Sequence, residues 1–166
     1  MTNSVNDSFA TLSPLNAVSP VDGRYGKRTV ALRKIFSEFG LIFFRVQVEV
    51  RWLQQLSRHA GIPEVPAFSA ATNAQLDAIV TNFSEADAQS VKDIERVTNH
   101  DVKAVEYFIK EKFDALKINE QKEFIHFGLT SQDINNTAIP YSIKVAMNEC
   151  LLPVLEEVVS KLSAYA

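Results

Sequence analysis

Apolar residues recur three and four positions apart along most of the chain, which is the spacing of one face of an α-helix. From residue 41 onward two such stripes run side by side, made up of Leu41, Phe44, Val48, Trp52 and Leu56 and of Ile42, Val46, Val50 and Leu53. Two stripes predict a long helix that is buried on two sides, as in a helical bundle. The polar residues Arg45, Glu49 and Arg51 fall within this helix, and we expect them to be solvated or paired.

The same spacing predicts helix over most of the remaining chain. The predicted helices cover residues 30–36, 71–83, 85–97, 102–109 and 134–166. A loop is predicted at residues 13–27, which are rich in proline and glycine. The alternation of apolar and polar residues that indicates a half-buried strand is almost absent. The sequence therefore predicts an all-α fold.

Local signals mark several helix ends. Gly40 lies inside a helical pattern, and we expect it to mark a break or a bend. Ser84 and Asp87 have the spacing of a capping box, with Asp in place of the usual Glu. Thr98 or Asn99 can cap the helix that follows them, because both side chains offer an oxygen to free backbone N–H groups.

Two prolines, Pro140 and Pro153, are expected to interrupt the last helical stretch. A proline inside a helix removes one hydrogen bond and clashes with the preceding turn, at a cost of ~3 kcal/mol unless the helix kinks or restarts. Pro153 can occupy the first position of a new helix. The inner face of that helix is predicted to consist of Leu155, Val158, Val159 and Leu162.

Composition limits the functional classes. The chain has 166 residues, of which 46% are hydrophobic and 22% charged, as is ordinary for a globular protein. The net charge of −3 gives no indication of a surface for nucleic acid or membrane. With one cysteine, Cys150, the chain has no internal disulfide framework, and a reducing cytoplasm is the expected compartment. The chain has three histidines, so a His-rich metal site is not expected.

The densest polar cluster follows an apolar turn and precedes the last predicted helix. It contains Thr130, Ser131, Gln132, Asp133, Asn135, Asn136 and Thr137. Thr130 and Ser131 are good N-cap residues, and Asp133 suits the first turn. An elaborate N-cap explains part of this pattern, but a cap needs fewer polar groups. Because a helix start also presents free N–H groups to anions, we predict that Thr130 and Ser131 bind a polar, anionic ligand. His126, between two apolar neighbours, is expected to be half-buried and hydrogen-bonded.

Two smaller clusters offer complementary chemistry. Asn99, His100 and Asp101 stand together before a predicted helix, where one of them would suffice as a cap. Histidine exchanges a proton near neutral pH, and the aspartate can hold its tautomer or bind a ligand amine. Arg24 and Tyr25 lie between two glycines in the first loop. Arginine grips carboxylate or phosphate with a planar set of donors, although an exposed Arg-Tyr pair is a weak signal by itself.

Four segments of the sequence resemble one known family. They are SPVDGRYG, FRVQVEVRWLQ, TNHDVKAVEYF and EFIHFGLTSQDINNT, in this order. Together they resemble the amino-terminal part of the adenylosuccinate lyase family, in the fumarase/aspartase superfamily, from about Leu15 to the end of the chain. TSQDINNT resembles this family more than the argininosuccinate lyase, fumarase or aspartase branches.

The resemblance implies a β-elimination that cleaves a C–N bond and releases fumarate, from adenylosuccinate to give AMP and from SAICAR to give AICAR, in purine nucleotide biosynthesis. It implies no metal and no organic cofactor. It implies a homotetramer whose long central helices form a bundle, with each active site drawn from several subunits. A nucleotide that carries a succinyl group is the expected partner, and neither nucleic acid nor a membrane is expected.

The matching segments also imply roles for the residues at the two ends of the site. Arg24 and Tyr25 would contact the nucleotide, with Arg24 at its phosphate. Thr130 and Ser131 would hold a carboxylate of the succinyl part, through hydroxyl groups and the N–H groups of the helix start.

Asn99, His100 and Asp101 would line the site between these two ends. His100 would be an auxiliary residue that assists and orients. In the family, the general acid lies in a Thr-His-Gly-Gln-type motif and the base in a Ser-Ser-x-Met-Pro-x-Lys-x-Asn-Pro loop. Neither motif occurs in this chain. We therefore expect the main acid and base beyond residue 166, and no turnover by the segment alone.

The polar N-terminus and the resemblance together indicate three parts of the chain. Residues 1–14 are expected to be a flexible lead, 15–127 a small N-terminal helical domain, and 128–166 the truncated start of the central helical bundle. Since the chain ends inside a helical pattern, we expect it to be part of a longer one. Two alternatives stay open: another fumarate-releasing lyase of the same superfamily, and a non-catalytic helical interaction module.

Overall fold

The computed structural model of the chain describes residues 18–118 and 121–165, so the predicted lead over 1–14 lies outside the described residues. Within these ranges the chain is helical and contains no strand, which confirms the all-α prediction. A 3-10 turn covers Lys122–Phe124, and a π-helical segment covers Met147–Leu151. The α-helices are α1 (Val30–Phe36), α2 (Glu38–Leu56), α3 (Ala70–Thr81), α4 (Glu85–Thr98), α5 (Asp101–Leu116), α6 (Ser131–Ala146) and α7 (Leu152–Tyr165).

Helix α2 is the centre of the structure and contacts each of the helices α1, α3, α4, α5 and α6. One side of α2, with Ile42, Val46 and Val50, belongs to a core shared with α3, α4 and α5. On its other side Phe44 packs into a smaller core that contains residues of α1 and α6, among them Ala138. The predicted burial of α2 on two sides is confirmed. This helix therefore fixes the positions of α5 and α6, whose first residues form two of the predicted polar clusters.

The break predicted at Gly40 lies instead at Ser37. The Ser37 side chain caps α2 by accepting a hydrogen bond from the Gly40 N–H, with a distance of 3.3 Å. Gly40 is buried in the first turn of α2, where an added Cβ would lie only 2.3 Å from the Ile35 carbonyl oxygen. The glycine thus permits the close approach of α1 to α2 without interrupting the helix.

One of the two predicted proline interruptions occurs, at Pro153, and the other does not. Pro140 lies inside α6, and the helix continues through it. Pro153 is the second residue of α7, which begins directly after the π-helical segment, so the α-helix is interrupted before Pro153 and restarts within one residue of the predicted position. The wider π turn covers the residues whose carbonyl groups would meet the Pro153 ring, which is how the helix accommodates this proline.

Helix α7 projects from the rest of the structure, and every residue from 151 to 165 is exposed. The predicted inner face of this helix is therefore wrong for the chain by itself: Val159 is 62% exposed and Leu162 is 65% exposed. The division of the chain at residues 127 and 128 remains a prediction. Among the helices that the structure describes, none combines the length and the apolar character needed to cross a bilayer.

Candidate functional site

The Asn-His-Asp turn joins α4 to α5 in a way that differs from the prediction. Asn99 ends α4 in the left-handed conformation, with φ of 53°, so it does not cap α5. His100 caps α5 instead, because its Nδ1 accepts a hydrogen bond of 3.1 Å from the Lys103 N–H. An accepting Nδ1 means that the neutral imidazole has its proton on Nε2. The half-exposed ring therefore presents an N–H donor away from the helix.

Asp101, the first residue of α5, has both carboxylate oxygens engaged. Its Oδ1 accepts a 2.8 Å hydrogen bond from the Val102 N–H, and its Oδ2 lies 2.8 Å from Arg45 Nη2. Partial burial by itself raises the pKa of Asp101, but the Val102 N–H and the Arg45 charge outweigh it and hold the pKa below its usual value. Asp101 is therefore an anion near neutral pH, and half of its side chain remains accessible.

The start of α6 has the predicted cap. The Thr130 N–H and hydroxyl both donate to Asp133 Oδ2, at 2.7 Å and 2.9 Å. These two hydrogen bonds lower the pKa of Asp133. Ser131 begins α6, and its hydroxyl has no hydrogen-bond partner among the described residues. Thr130 would thus have to exchange Asp133 for a ligand, whereas Ser131 can bind one directly.

A buried arginine connects these two clusters. Arg45 on α2 is 6% exposed. Its Nη2 pairs with Asp101, and its Nε donates a 2.9 Å hydrogen bond to Asn135 Oδ1 in the second turn of α6. The sequence predicts that Arg45 is solvated or paired, but it does not indicate that Arg45 belongs to the site. Its position between two apolar stripes of α2 was the available signal, since a charge inside a two-sided helix requires buried partners.

The turn that leads into α6 is also held by α2. His126 and Gly128 both adopt positive φ, 64° and 72°. The His126 ring bonds to the buried Glu49, which confirms the predicted half-buried, hydrogen-bonded histidine. Trp52 Nε1 donates a 2.9 Å hydrogen bond to the Phe127 carbonyl oxygen. Two side chains of α2 therefore fix the backbone immediately before Thr130.

The Arg-Tyr loop lies before α1 and is exposed. The Arg24 guanidinium lies over the Tyr25 ring, 5.3 Å from its centroid. Gly26 is anchored by a 3.1 Å hydrogen bond from Arg33 Nη2 to its carbonyl oxygen. No hydrogen bond or ion pair between described residues joins Arg24 or Tyr25 to the other two clusters. The structure thus brings together two of the three predicted clusters, and α1 attaches the third to α2 and α6.

Comparison with known proteins identifies the family. The profile of a protein family described as Lyase matches residues 23–166. The chain belongs to this lyase family. The Arg-Tyr loop, the Asn-His-Asp turn and the start of α6 all lie within the part of the chain that matches.

Curated relatives of the chain agree with the family assignment. The adenylosuccinate lyase of Vibrio cholerae serotype O1 is 57% identical over 156 residues, which cover 93% of this chain and 34% of the relative. The adenylosuccinate lyase of Escherichia coli K12 is 61% identical over 143 residues, 86% of this chain and 31% of the relative. That of Dictyostelium discoideum is 48% identical over 149 residues, 88% and 32% respectively. The chain spans about a third of the length of the curated relatives it matches.

Beside the start of α6, an open cavity of about 510 Å³ lies between α2 and α6. Trp52, Tyr141 and Leu129 form apolar walls, and Asp133 and Thr137 of the polar cluster form part of its edge. The wall of the cavity therefore combines aromatic surface with hydroxyl and carboxylate groups at one helix start. Sequence periodicity did not predict this cavity, because it depends on how α6 lies across α2.

Proposed function

We propose that this chain is the amino-terminal part of an adenylosuccinate lyase, which releases fumarate from adenylosuccinate to leave AMP and from SAICAR to leave AICAR. The observation that carries the proposal is the Arg45 bridge, which joins the Asn-His-Asp turn to the start of α6 at 2.8 Å and 2.9 Å. Relatives named adenylosuccinate lyase, 57% and 61% identical to this chain, support the same assignment.

The proposed β-elimination breaks the C–N bond between the succinyl carbon and the nucleotide nitrogen. A base removes a proton from the carbon beside a carboxylate, and an acid protonates the departing nitrogen. In this proposal Ser131 and Thr130 hold a succinyl carboxylate through hydroxyl and N–H donors at the start of α6, where the helix dipole favours an anion. These donors stabilise the negative charge that grows on the carboxylate as the proton leaves.

The other candidate residues bind and orient the nucleotide. Arg24 binds the phosphate, and Tyr25 contacts the nucleotide beside it. Asn99, His100 and Asp101 line the site, with the Nε2–H of His100 directed to the substrate as an auxiliary donor. The main acid and base belong to the part of the enzyme beyond this chain.

The full enzyme is proposed to be a cytoplasmic homotetramer. The exposed apolar face of α7, with Leu155, Val158 and Leu162, supports this assembly, because a face of this kind needs a covering surface. The single cysteine suits a reducing compartment.

The test compares the isolated chain with a full-length chimera. The chimera joins this chain to the remaining part, about two thirds, of the Escherichia coli relative. We expect the chimera to release fumarate from adenylosuccinate and the isolated chain to release none. Fumarate release by the isolated chain at a rate near that of the chimera would contradict the division of the active site.

The same chimera tests the alternative of another fumarate-releasing lyase. If Arg24 binds a nucleotide phosphate, AMP competes with the substrate, and Arg24→Gln weakens this competition. The alternative would be supported by an active chimera that AMP does not inhibit.

A further inference from the structure

The Arg45 bridge costs free energy that a purely structural role does not require. Removing an arginine from water is expensive, and replacing buried ion pairs with apolar residues is often neutral or stabilising. Arg45 is 6% exposed and lies between the two cores that α2 organises. An apolar side chain at this position would suit both cores, so the presence of the charge points to a geometric function.

The geometry of the bridge fits such a function. The guanidinium is a rigid planar fork, and here its Nε and Nη2 bind residues of two different helices. Asp101 is the first residue of α5, directly after His100. Asn135 lies four residues after Ser131 on α6, and residues four apart share one face of a helix. The fork therefore fixes the separation of the two helix starts, and it fixes which face of α6, shared by Asn135 and Ser131, lies toward α2.

We propose that Arg45 is a positioning residue for the substrate site, which aligns the succinyl-binding start of α6 with the Asn-His-Asp turn; this rests on the function proposed above. Arg45 does not contact the substrate in this proposal. It acts through Asn135 and Asp101, and its loss displaces Ser131 relative to His100. A misplacement of about 1 Å at a reacting centre can reduce the rate about 100-fold.

The test uses the full-length chimera with two variants that weaken the bridge differently. Arg45→Lys keeps the charge beside Asp101 but has its donors on a single nitrogen, so it cannot reproduce the planar fork that binds Asp101 and Asn135. Asn135→Ala removes only the connection to α6. Should Arg45→Lys fail to fold, Asn135→Ala still carries the test, because alanine favours the helix. Arg58→Lys is the control, since Arg58 is exposed in the turn directly after α2 and does not line the cavity beside the start of α6.

We expect both bridge variants to lower kcat/KM between about 10- and 100-fold, and the control to leave it unchanged. Inhibition by the two products distinguishes a loss of positioning from a general loss of structure in the variants. Fumarate, which binds at the start of α6, should inhibit the variants at least about tenfold more weakly, whereas the inhibition constant of AMP should stay within about twofold.

Unchanged inhibition by fumarate in both variants, or an equal weakening of fumarate and AMP, would overturn the assignment of Arg45. An unsubstituted chimera that releases no fumarate from adenylosuccinate would instead contradict the proposed function itself, before any variant is compared.

Discussion

Glu49 on α2 and His126 in the turn before α6 are joined by a short hydrogen bond, with Glu49 Oε1 2.5 Å from His126 Nδ1. Glu49 is 1% exposed, and its second oxygen has no hydrogen-bond partner in the part of the chain that the structure describes. Burial raises the pKa of Glu49, the bond to His126 opposes this, and the charge of Glu106 adds to it. The net pKa is raised, so folding favours the protonated carboxyl over the ionised form.

The first prediction is that Glu49→Gln stabilises the chain at neutral pH. The ordinary pKa of this carboxyl is 4.5, and the folded value lies above it. The favourable contribution of the protonated form is therefore complete below pH 4.5 and is lost as the pH rises through the folded pKa. Glutamine keeps the shape and the hydrogen-bonding oxygen without this loss. Urea unfolding should show the variant more stable than the native chain near pH 7, with the difference shrinking toward pH 4.

The charged groups around Glu49 and an exposed control make this prediction specific. His126 faces Glu49 from the turn, and Glu106 faces it from α5 with its partners Lys103 and Lys110. Glu123 is 80% exposed and paired with Lys110, which lowers its pKa. Glu123→Gln should therefore give no gain in stability near pH 7. A gain equal to that of Glu49→Gln would show that the effect does not come from burial.

A second prediction concerns the backbone at His126. Its φ of 64° lies in the left-handed region, which costs a residue with a Cβ about 1 kcal/mol more than glycine. His126→Gly and His126→Ala both remove the imidazole and its bond to Glu49. We expect the alanine variant to be less stable than the glycine variant by roughly 1 kcal/mol, measured by urea unfolding. Equal stability would mean that the turn relaxes when the histidine is absent.

Sequence patterns predicted those features that depend on neighbouring residues. The Ser84–Asp87 capping box was predicted, and the structure contains it: the Ser84 N–H donates to Asp87 Oδ2 at 2.9 Å, and the Asp87 N–H to Ser84 Oγ at 3.3 Å. The two-sided burial of α2 was predicted because the spacing of its apolar residues indicates two buried faces. The role of His100 as a cap was missed, because the usual capping rule considers side-chain oxygens, whereas here a ring nitrogen accepts the bond.

The buried polar contacts could not be predicted from sequence patterns, for a physical reason. Arg45 meets Asn135 across 90 positions of sequence, and Glu49 meets His126 across 77. Apolar periodicity indicates which face of α2 is buried, but the pairing of its charges depends on where α5 and α6 pack. The resemblance supplied candidate site residues, yet Arg45, which connects two of their clusters, emerged only from the structure.

The third prediction compares two helix caps of the same type, at Ser84 and Thr130. Ser84 and Thr130 each occur with an aspartate three residues later, but only Thr130 lies at the proposed site. Ser84→Ala and Thr130→Ala should each cost about 1 kcal/mol in urea unfolding. In the full-length chimera only Thr130→Ala should lower kcat/KM, and Thr130→Ser should restore it because the hydroxyl remains. Equal losses of activity for Ser84→Ala and Thr130→Ala would remove Thr130 from the site.

A fourth prediction uses Ser131 to test whether the start of α6 takes part in catalysis or has only a structural role. Removing one donor that stabilises developing negative charge typically lowers kcat by about 10²- to 10³-fold. We expect a loss of this order for Ser131→Ala in the chimera. Ser90→Ala is the control, because Ser90 is an exposed serine of α4 whose hydroxyl bonds only to the Ala86 carbonyl oxygen among the described residues. Full turnover by Ser131→Ala would favour the alternative of a helical interaction module.

The last prediction concerns the face of α7. Leu155 is 48% exposed and Leu162 is 65% exposed, and they lie on one side of a helix that leaves the rest of the chain. If this face is covered by other subunits, Leu155→Glu with Leu162→Glu buries charges in the interface and opposes assembly. Light scattering should give a tetramer for the unsubstituted chimera and smaller species for the double variant. Glu157→Gln, which changes only the surface pair with Lys161, should leave the mass unchanged. A tetramer that survives both glutamates would place the subunit contacts elsewhere.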